Sequence, residues 1–137
     1  MQFLKSTALC LGLALSSAAI AAPASAQGMP PEQIKQILDL TKANWVAFRD
    51  WQGQELIYFT HLESWKCGID YVFYGLNDGP IDQEWELEAC NPDNPNAVLK
   101  DKPYLERPAG STQSISVQLI FPDGTKSQVE RFEYKPQ

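Results

Sequence analysis

The sequence predicts an all-β sandwich of about seven strands, preceded by a short helix. Three observations carry this reading. After residue 44, short stretches rich in β-branched and aromatic residues recur between turn signals spaced about 8–12 residues apart. Two of those stretches alternate strictly between apolar and polar positions. A helical period occurs in only one segment, ahead of residue 44.

The chain opens on MQFLKSTALCLGLALSSAAIAAPASA. Lys5 supplies a positive start, Leu9 to Leu15 an apolar centre, and Ala24-Ser25-Ala26 a small-x-small cleavage site. Residues 1–26 read as a secretory signal peptide. The apolar run is short of the ~18 residues a membrane span needs. Cys10 follows Leu9, where a lipoprotein signal needs a small residue. Removing the leader takes the eleven basic side chains to ten, against seventeen acidic ones. An acidic chain without a basic cluster does not suit nucleic acid or anionic membrane surfaces. No nucleic-acid partner and no integral membrane segment after cleavage are expected, and the destination is periplasmic or secreted.

Residues 27–43 hold an exposed leader and an amphipathic helix. Pro31 suits the first turn, and Ile34, Ile37, Leu38 and Thr41 form one stripe. The stripe fits a helix that caps one end of the β domain, or one that docks a partner. Residues 44–137 form the β domain. Trp45 to Trp51 flank a first strand ended by Gln52-Gly53. Glu55 to Cys67 reads as one long strand with a bulge near Thr60-His61, because Leu62 and Trp65 fall on opposite parities. Ile69 to Leu76 is the next strand, closed by Asn77-Asp78-Gly79-Pro80. Asp82 to Cys90 alternates, with Trp85, Leu87 and Ala89 on one face and acids on the other. A weaker strand surrounds Tyr104 and Leu105. Ser114 to Phe121 turns Ile115, Val117, Leu119 and Phe121 inward, and Pro122-Asp123-Gly124 makes a turn. In the closing stretch Thr125 to Tyr134, Val129, Phe132 and Tyr134 do not share a parity, which predicts an edge position or a bulge.

The ending LERPAGSTQSISVQLIFPDGTKSQVERFEY resembles the last three strands of a fibronectin III-like domain: a Leu before a Pro/Gly turn, an alternating strand, a tight Asp-Gly hairpin and a final strand. With WKCG and the later Cys90, the chain also resembles small uncharacterised exported bacterial proteins. The resemblance implies an immunoglobulin/fibronectin III-like β-sandwich and supplies no catalytic residues. Cys67 and Cys90 are the two cysteines left after export and read as a disulfide. Their spacing departs from the cross-sheet bridge of antibody domains. They are expected to tie the start of one strand to the end of the next but one.

Three sets of residues are candidates for function. The strand 69–76 carries large apolar groups on both parities, so one face needs a cover: the helix, a subunit or a ligand. Tyr71 and Phe73, with Trp51, form the candidate interaction face. Asp82, Glu84, Glu86 and Glu88 form an acidic row for a cation or a basic partner, or a solvated strand face that resists aggregation. His61, the only histidine, shares its strand face with Glu63 under strict alternation. No phosphate loop, nucleophile elbow or metalloprotease motif accompanies it. No cofactor and no metal site are expected. The reading that follows is a non-catalytic interaction module with a protein partner or self-association. A carbohydrate- or small-ligand-binding domain is the alternative, and a hydrolase using His61 comes third.

Overall fold

A computed structural model describes residues 18–19 and 28–137. The predicted signal peptide therefore lies outside the described residues, apart from positions 18 and 19. Seven strands form two antiparallel sheets, an arrangement consistent with a β-sandwich. One sheet has the order β1-β2-β5, from Ala47–Trp51, Gln54–Tyr58 and Tyr104–Pro108. The other has the order β4-β3-β6-β7, from Gln83–Trp85, Tyr71–Leu76, Ser114–Ile120 and Glu130–Glu133. Among the described residues no helix is long and apolar enough to cross a membrane.

Helix α1, Pro31–Leu40, starts with Pro at its first turn and Glu32 beside the positive helix end. Ile34 and Leu38, one turn apart, are its buried residues. Ile34 presses on Gly68, where an added Cβ would sit 2.4 Å from the Ile34 side chain. The helix therefore caps one end of the β domain. A 3₁₀ turn, Lys42–Asn44, leads to Trp45, which is buried and donates its indole N–H to the Leu38 carbonyl at 2.9 Å. The β1–β2 hairpin turns at Gln52-Gly53, both at positive φ, the geometry that matches strand twist in a two-residue loop.

The long strand expected over Glu55–Cys67 does not form. β2 stops at Tyr58, and α2, Thr60–Ser64, follows with a 3₁₀ turn at Lys66–Gly68. No bulge is needed at Thr60-His61, because the period there is helical. Phe59, Leu62, Glu63 and Lys66, at i, i+3, i+4 and i+7, are all buried. Two of those four are charged, so the apolar pattern alone hides the helix.

The inward row of β6 is as expected: Ile115, Val117 and Leu119 are fully buried, and Phe121 nearly so. They pack with Ile57, Phe59, Val72, Tyr74 and Trp85 into one core. The strand expected over Asp82–Cys90 is cut to Gln83–Trp85. Trp85 is buried, Leu87 half-buried and Ala89 exposed. Side chains take the backbone groups that a ladder would have used. Lys100 donates to the Glu86 carbonyl, and the Glu88 N–H donates to the Glu63 carboxylate at 3.1 Å.

The closing strand shows both expected features. β7 is the edge of its sheet, and its ladder slips by one residue. Lys126 bridges Ile120 while Glu130 pairs with Val117, so four steps on this side face three on β6. That is a bulge; Phe132 and Tyr134 share a parity and pack against the core, while Val129, of the other parity, stays exposed.

The disulfide is present between Cys67 and Cys90, with Cα atoms 4.8 Å apart. It does not join two strands. It ties the 3₁₀ turn at Lys66–Gly68 to the irregular segment after β4.

Candidate functional site

The outer face of the four-stranded sheet divides in two. Along β3 the outward residues are Tyr71, Phe73 and Gly75, paired with Ile120, Gln118 and Ser116 of β6. At the Gly75 end, the β3–β4 turn folds back over the sheet. Asn77 and Asp78 both have positive φ, and a Cβ on Gly75 would lie 2.4 Å from the Pro80 carbonyl. Asp78 then reaches Arg131 of β7 with two hydrogen bonds, at 2.6 and 3.2 Å. The guanidinium holds the Asp78 carboxyl below the usual carboxylate range. This roof explains why Ser114 and Ser116, both outward, are buried.

The other half has no such roof. Tyr71 is 48% exposed and stacks on Phe73 with ring centroids 5.9 Å apart. Half-buried Ile120 lies opposite Tyr71 in the ladder, and exposed Glu84 lies opposite Phe73. Helix α1 caps the end of the domain and leaves Tyr71 open. Trp51 belongs to β1 of the other sheet, where its ring lies 4.1 Å from the Arg49 guanidinium. It shares the outward parity of Ala47 and Arg49, whereas Phe48 is buried. Trp51 and the Tyr71–Phe73 pair therefore project from opposite sheets and do not form one patch.

The acidic row is not continuous. Asp82, Glu84 and Glu86 are exposed, but the strand ends at Trp85 and Glu88 folds inward. The Glu88 carboxylate accepts the Leu99 N–H at 2.9 Å and lies 3.7 Å from the Lys66 ammonium. Four carboxylates on one face required a strand through Cys90.

His61 and Glu63 do not pair. On a helix, two residues are about 200° apart around the axis, so the side chains diverge. His61 is half-buried, with Nε2 2.9 Å from the Thr41 hydroxyl. That hydroxyl already donates to the Ile37 carbonyl at 2.7 Å, so the imidazole Nε2–H is the donor to it. Burial pulls the His61 pKa below its ordinary value. The Ser64 hydroxyl donates back to the His61 carbonyl at 2.7 Å, and among the described residues no carboxylate hydrogen-bonds the ring.

Glu63 turns the other way and is fully buried. Its carboxylate accepts the Trp85 indole N–H at 2.8 Å and the Glu88 N–H at 3.1 Å, and lies 3.1 Å from the Lys100 ammonium. Lys100 also sits 4.4 Å from the centre of the Trp85 ring. Lys66, buried, donates to the carbonyls of Ala97 at 2.6 Å and Glu63 at 3.2 Å. Its three ammonium protons thus face two carbonyls and the Glu88 carboxylate, which a buried cation requires. This cluster was not visible in the strand reading. A second buried carboxylate, Glu55 on β2, accepts the N–H groups of Gly110 at 2.7 Å and Thr112 at 3.0 Å, and so pins the β5–β6 turn. Among the described residues, no group of three or more His, Cys, Asp or Glu side chains is placed to hold a metal ion.

A cavity of about 530 Å³ opens between α1 and the bulged segment 126–130. Trp45 and Phe121 form its apolar lining. At one end the Lys42 ammonium lies 3.1 Å from Asp39 and 3.3 Å from Glu130, and both carboxylates raise its pKa. No family model, no curated protein and no solved structure matches the chain.

Proposed function

We propose that this chain is a non-catalytic interaction module of the periplasm or the cell exterior, built on an immunoglobulin/fibronectin III-like sandwich. The fold type is supported by the division into three and four strands. It is also supported by the connections β2–β3, β4–β5 and β5–β6, each of which crosses between the sheets. The location is supported by the leader sequence and by the disulfide, a bond that persists in oxidising compartments. One observation carries the interaction role: an aromatic pair, Tyr71 on Phe73, stands open on an otherwise roofed sheet face, with Ile120 beside it and Glu84 at its edge. An aromatic anchor inside a polar rim is the usual make-up of a protein-binding patch. The partner is a protein surface that takes Tyr71 into a pocket.

The test is crosslinking of the full chain in its native compartment, comparing wild type with Tyr71→Ser. The side chain is half out in water, so the variant keeps its thermal midpoint and loses the crosslinked partner. A crosslinked pair of copies of this chain, also lost in the variant, identifies the partner as self. An unchanged crosslinking pattern in Tyr71→Ser refutes the proposal.

A further inference from the structure

The cavity beside α1 is lined by two facing rows with matched chemistry. On the helix, Glu32, Gln36 and Asp39 follow one another at i, i+4 and i+7, a row roughly 10 Å long at 1.5 Å per residue. On the bulged segment, Lys126, Gln128 and Glu130 follow at i, i+2 and i+4, about 13 Å of extended chain. The rows run in the same direction, because Lys42 at the helix end pairs with Glu130. The bulge shapes the second row: past Glu130 the chain lies in the ladder, Ser127 still donates its N–H to the Leu119 carbonyl at 2.9 Å, and Gln128 and Val129 pair with no β6 residue.

The charges of the lining cancel, with three carboxylates and three ammonium groups. Most of them are already used. Lys35 is held by the Thr125 hydroxyl at 2.7 Å and by Asp123 at 3.4 Å, and Lys42 by Asp39 and Glu130. Among the described residues, none hydrogen-bonds the side chains of Glu32, Gln36, Lys126 or Gln128. What remains for a ligand is two primary amides in the middle of the trough, each a donor and an acceptor, with one carboxylate and one ammonium at the open end. Trp45 and Phe121 close the floor from below; both are almost fully buried, and the Lys35 ammonium lies 5.0 Å from the centre of the Phe121 ring. The volume lies in the range of small-molecule sites, about 300–1,000 Å³.

In such a lining an anionic ligand meets one unpaired ammonium, Lys126, together with the unpaired Glu32 carboxylate, which repels it. A small zwitterion would satisfy the Glu32/Lys126 end and leave the amides unused. A ring with hydroxyls along its rim uses the two amides, the carboxylate and the ammonium together. We infer that the trough between α1 and the Lys126–Glu130 segment is a binding site for an uncharged carbohydrate of mono- or disaccharide size. The trough shares no lining residue with the Tyr71–Phe73 pair, although Tyr71 and Lys126 flank Ile120 on its two sides, and it is tested independently of that pair.

The experiment is a titration of the ¹⁵N-labelled, oxidised exported chain with cellobiose, maltose, lactose and N,N′-diacetylchitobiose. Glycine betaine and alanylalanine form the zwitterionic arm. At least one sugar is expected to shift the amides of residues 32–42 and 126–130 in a saturable manner. Gln36→Ala with Gln128→Ala removes exposed side chains, leaves the melting temperature in place and weakens that binding about tenfold or more. Gln128→Trp, which fills the trough, abolishes it. The inference is overturned if no sugar moves these amides, if only the zwitterions do, if the double variant binds as wild type, or if the sugar shifts fall on Tyr71 and Phe73.

Discussion

Replacing Glu63 with Ala tests the buried cluster directly. Glu63 is fully buried and accepts two N–H groups besides facing the Lys100 ammonium. The substitution leaves the Trp85 indole N–H and the Glu88 N–H without their acceptor, each at about 1–3 kcal/mol. Lys100 is part-exposed and turns to water, so it adds little. The expected loss is about 4 kcal/mol, within the ~3–5 kcal/mol seen when one partner of a buried charged set is removed. Unfolding entropy near 2.1 cal/mol/K per residue, over the roughly 110 residues 28–137, converts this to a fall of about 17 °C in melting temperature. The measurement is thermal and urea unfolding of the oxidised protein by circular dichroism, with Glu106→Ala as the control. Glu106 is an exposed carboxylate paired to Lys102, a kind of pair worth about 0–1 kcal/mol. Trp85→Phe added to Glu63→Ala removes one orphaned donor, so the double variant loses less than the sum of the singles. If Glu63→Ala melts within about 4 °C of wild type, roughly 1 kcal/mol, then Glu63 faces water and the α2 register described here is wrong.

Three further outcomes follow. Cys67→Ser/Cys90→Ser opens a loop with sequence separation 23, for which chain entropy gives about 3 kcal/mol; because hydrogen bonds also hold the loop, its native-state amide spectrum stays close to wild type away from the two sites while the urea midpoint drops, and a wholesale collapse of the spectrum would contradict this. Gly75→Ala drives a methyl into the Pro80 carbonyl and costs about 1–3 kcal/mol in thermal unfolding; no measurable cost means the 77–82 turn does not roof the sheet. His61 is held neutral by burial, so its folded pKa lies below the unfolded value of 6.5. The unfolded state therefore binds more protons just below pH 6.5, and stability falls as pH drops through that window toward the folded pKa. His61→Asn removes that dependence, and an unchanged slope in the variant would place its source elsewhere.

Much of the sandwich was legible because its signals are local. Ile115 to Phe121 alternates without interruption, Gln52-Gly53 accepts two positive φ values, and Pro31 suits a first helical turn. Each is a property of adjacent residues, and the structure places each as expected. The segment 59–68 was not legible, for a different reason. Its stripe of Phe59, Leu62, Glu63 and Lys66 has a helical period only if two charged residues are counted as core, and their partners lie at 85–100 in the sequence. The acidic row failed with it, since Glu88 leaves the strand parity to join those same partners. The aromatic pair was found, because Tyr71 and Phe73 are two apart on one strand. Its separation from Trp51 depended on which sheet each strand enters, and that is a long-range property.

The cluster around Glu63 also settles what kind of segment follows β4. Between Trp85 and Tyr104 the chain runs without a helix or strand, and a connection of that length is normally a lid, a binding loop or disordered. Here it is tied along its whole course. Glu88 meets Glu63, Cys90 meets Cys67, and the Asn96 side chain donates to the Ser64 carbonyl at 2.7 Å. Lys66 takes the Ala97 carbonyl, Lys100 takes Glu63, and the Phe59 N–H donates to the Pro103 carbonyl at 2.8 Å. Residues of 59–67 contribute to each of these ties. An apolar stripe on α2 would bury any apolar segment; a carboxylate and an ammonium there accept only a segment that brings an indole N–H, a lysine and free carbonyls at the right spacing. The buried charges therefore act as address labels for residues 85–103, and they make that segment a fixed wall of the domain. Among the described residues this is the longest irregular segment, and it is in place without a partner, so a partner at the proposed Tyr71 face would dock onto a fixed surface and not fold it on binding.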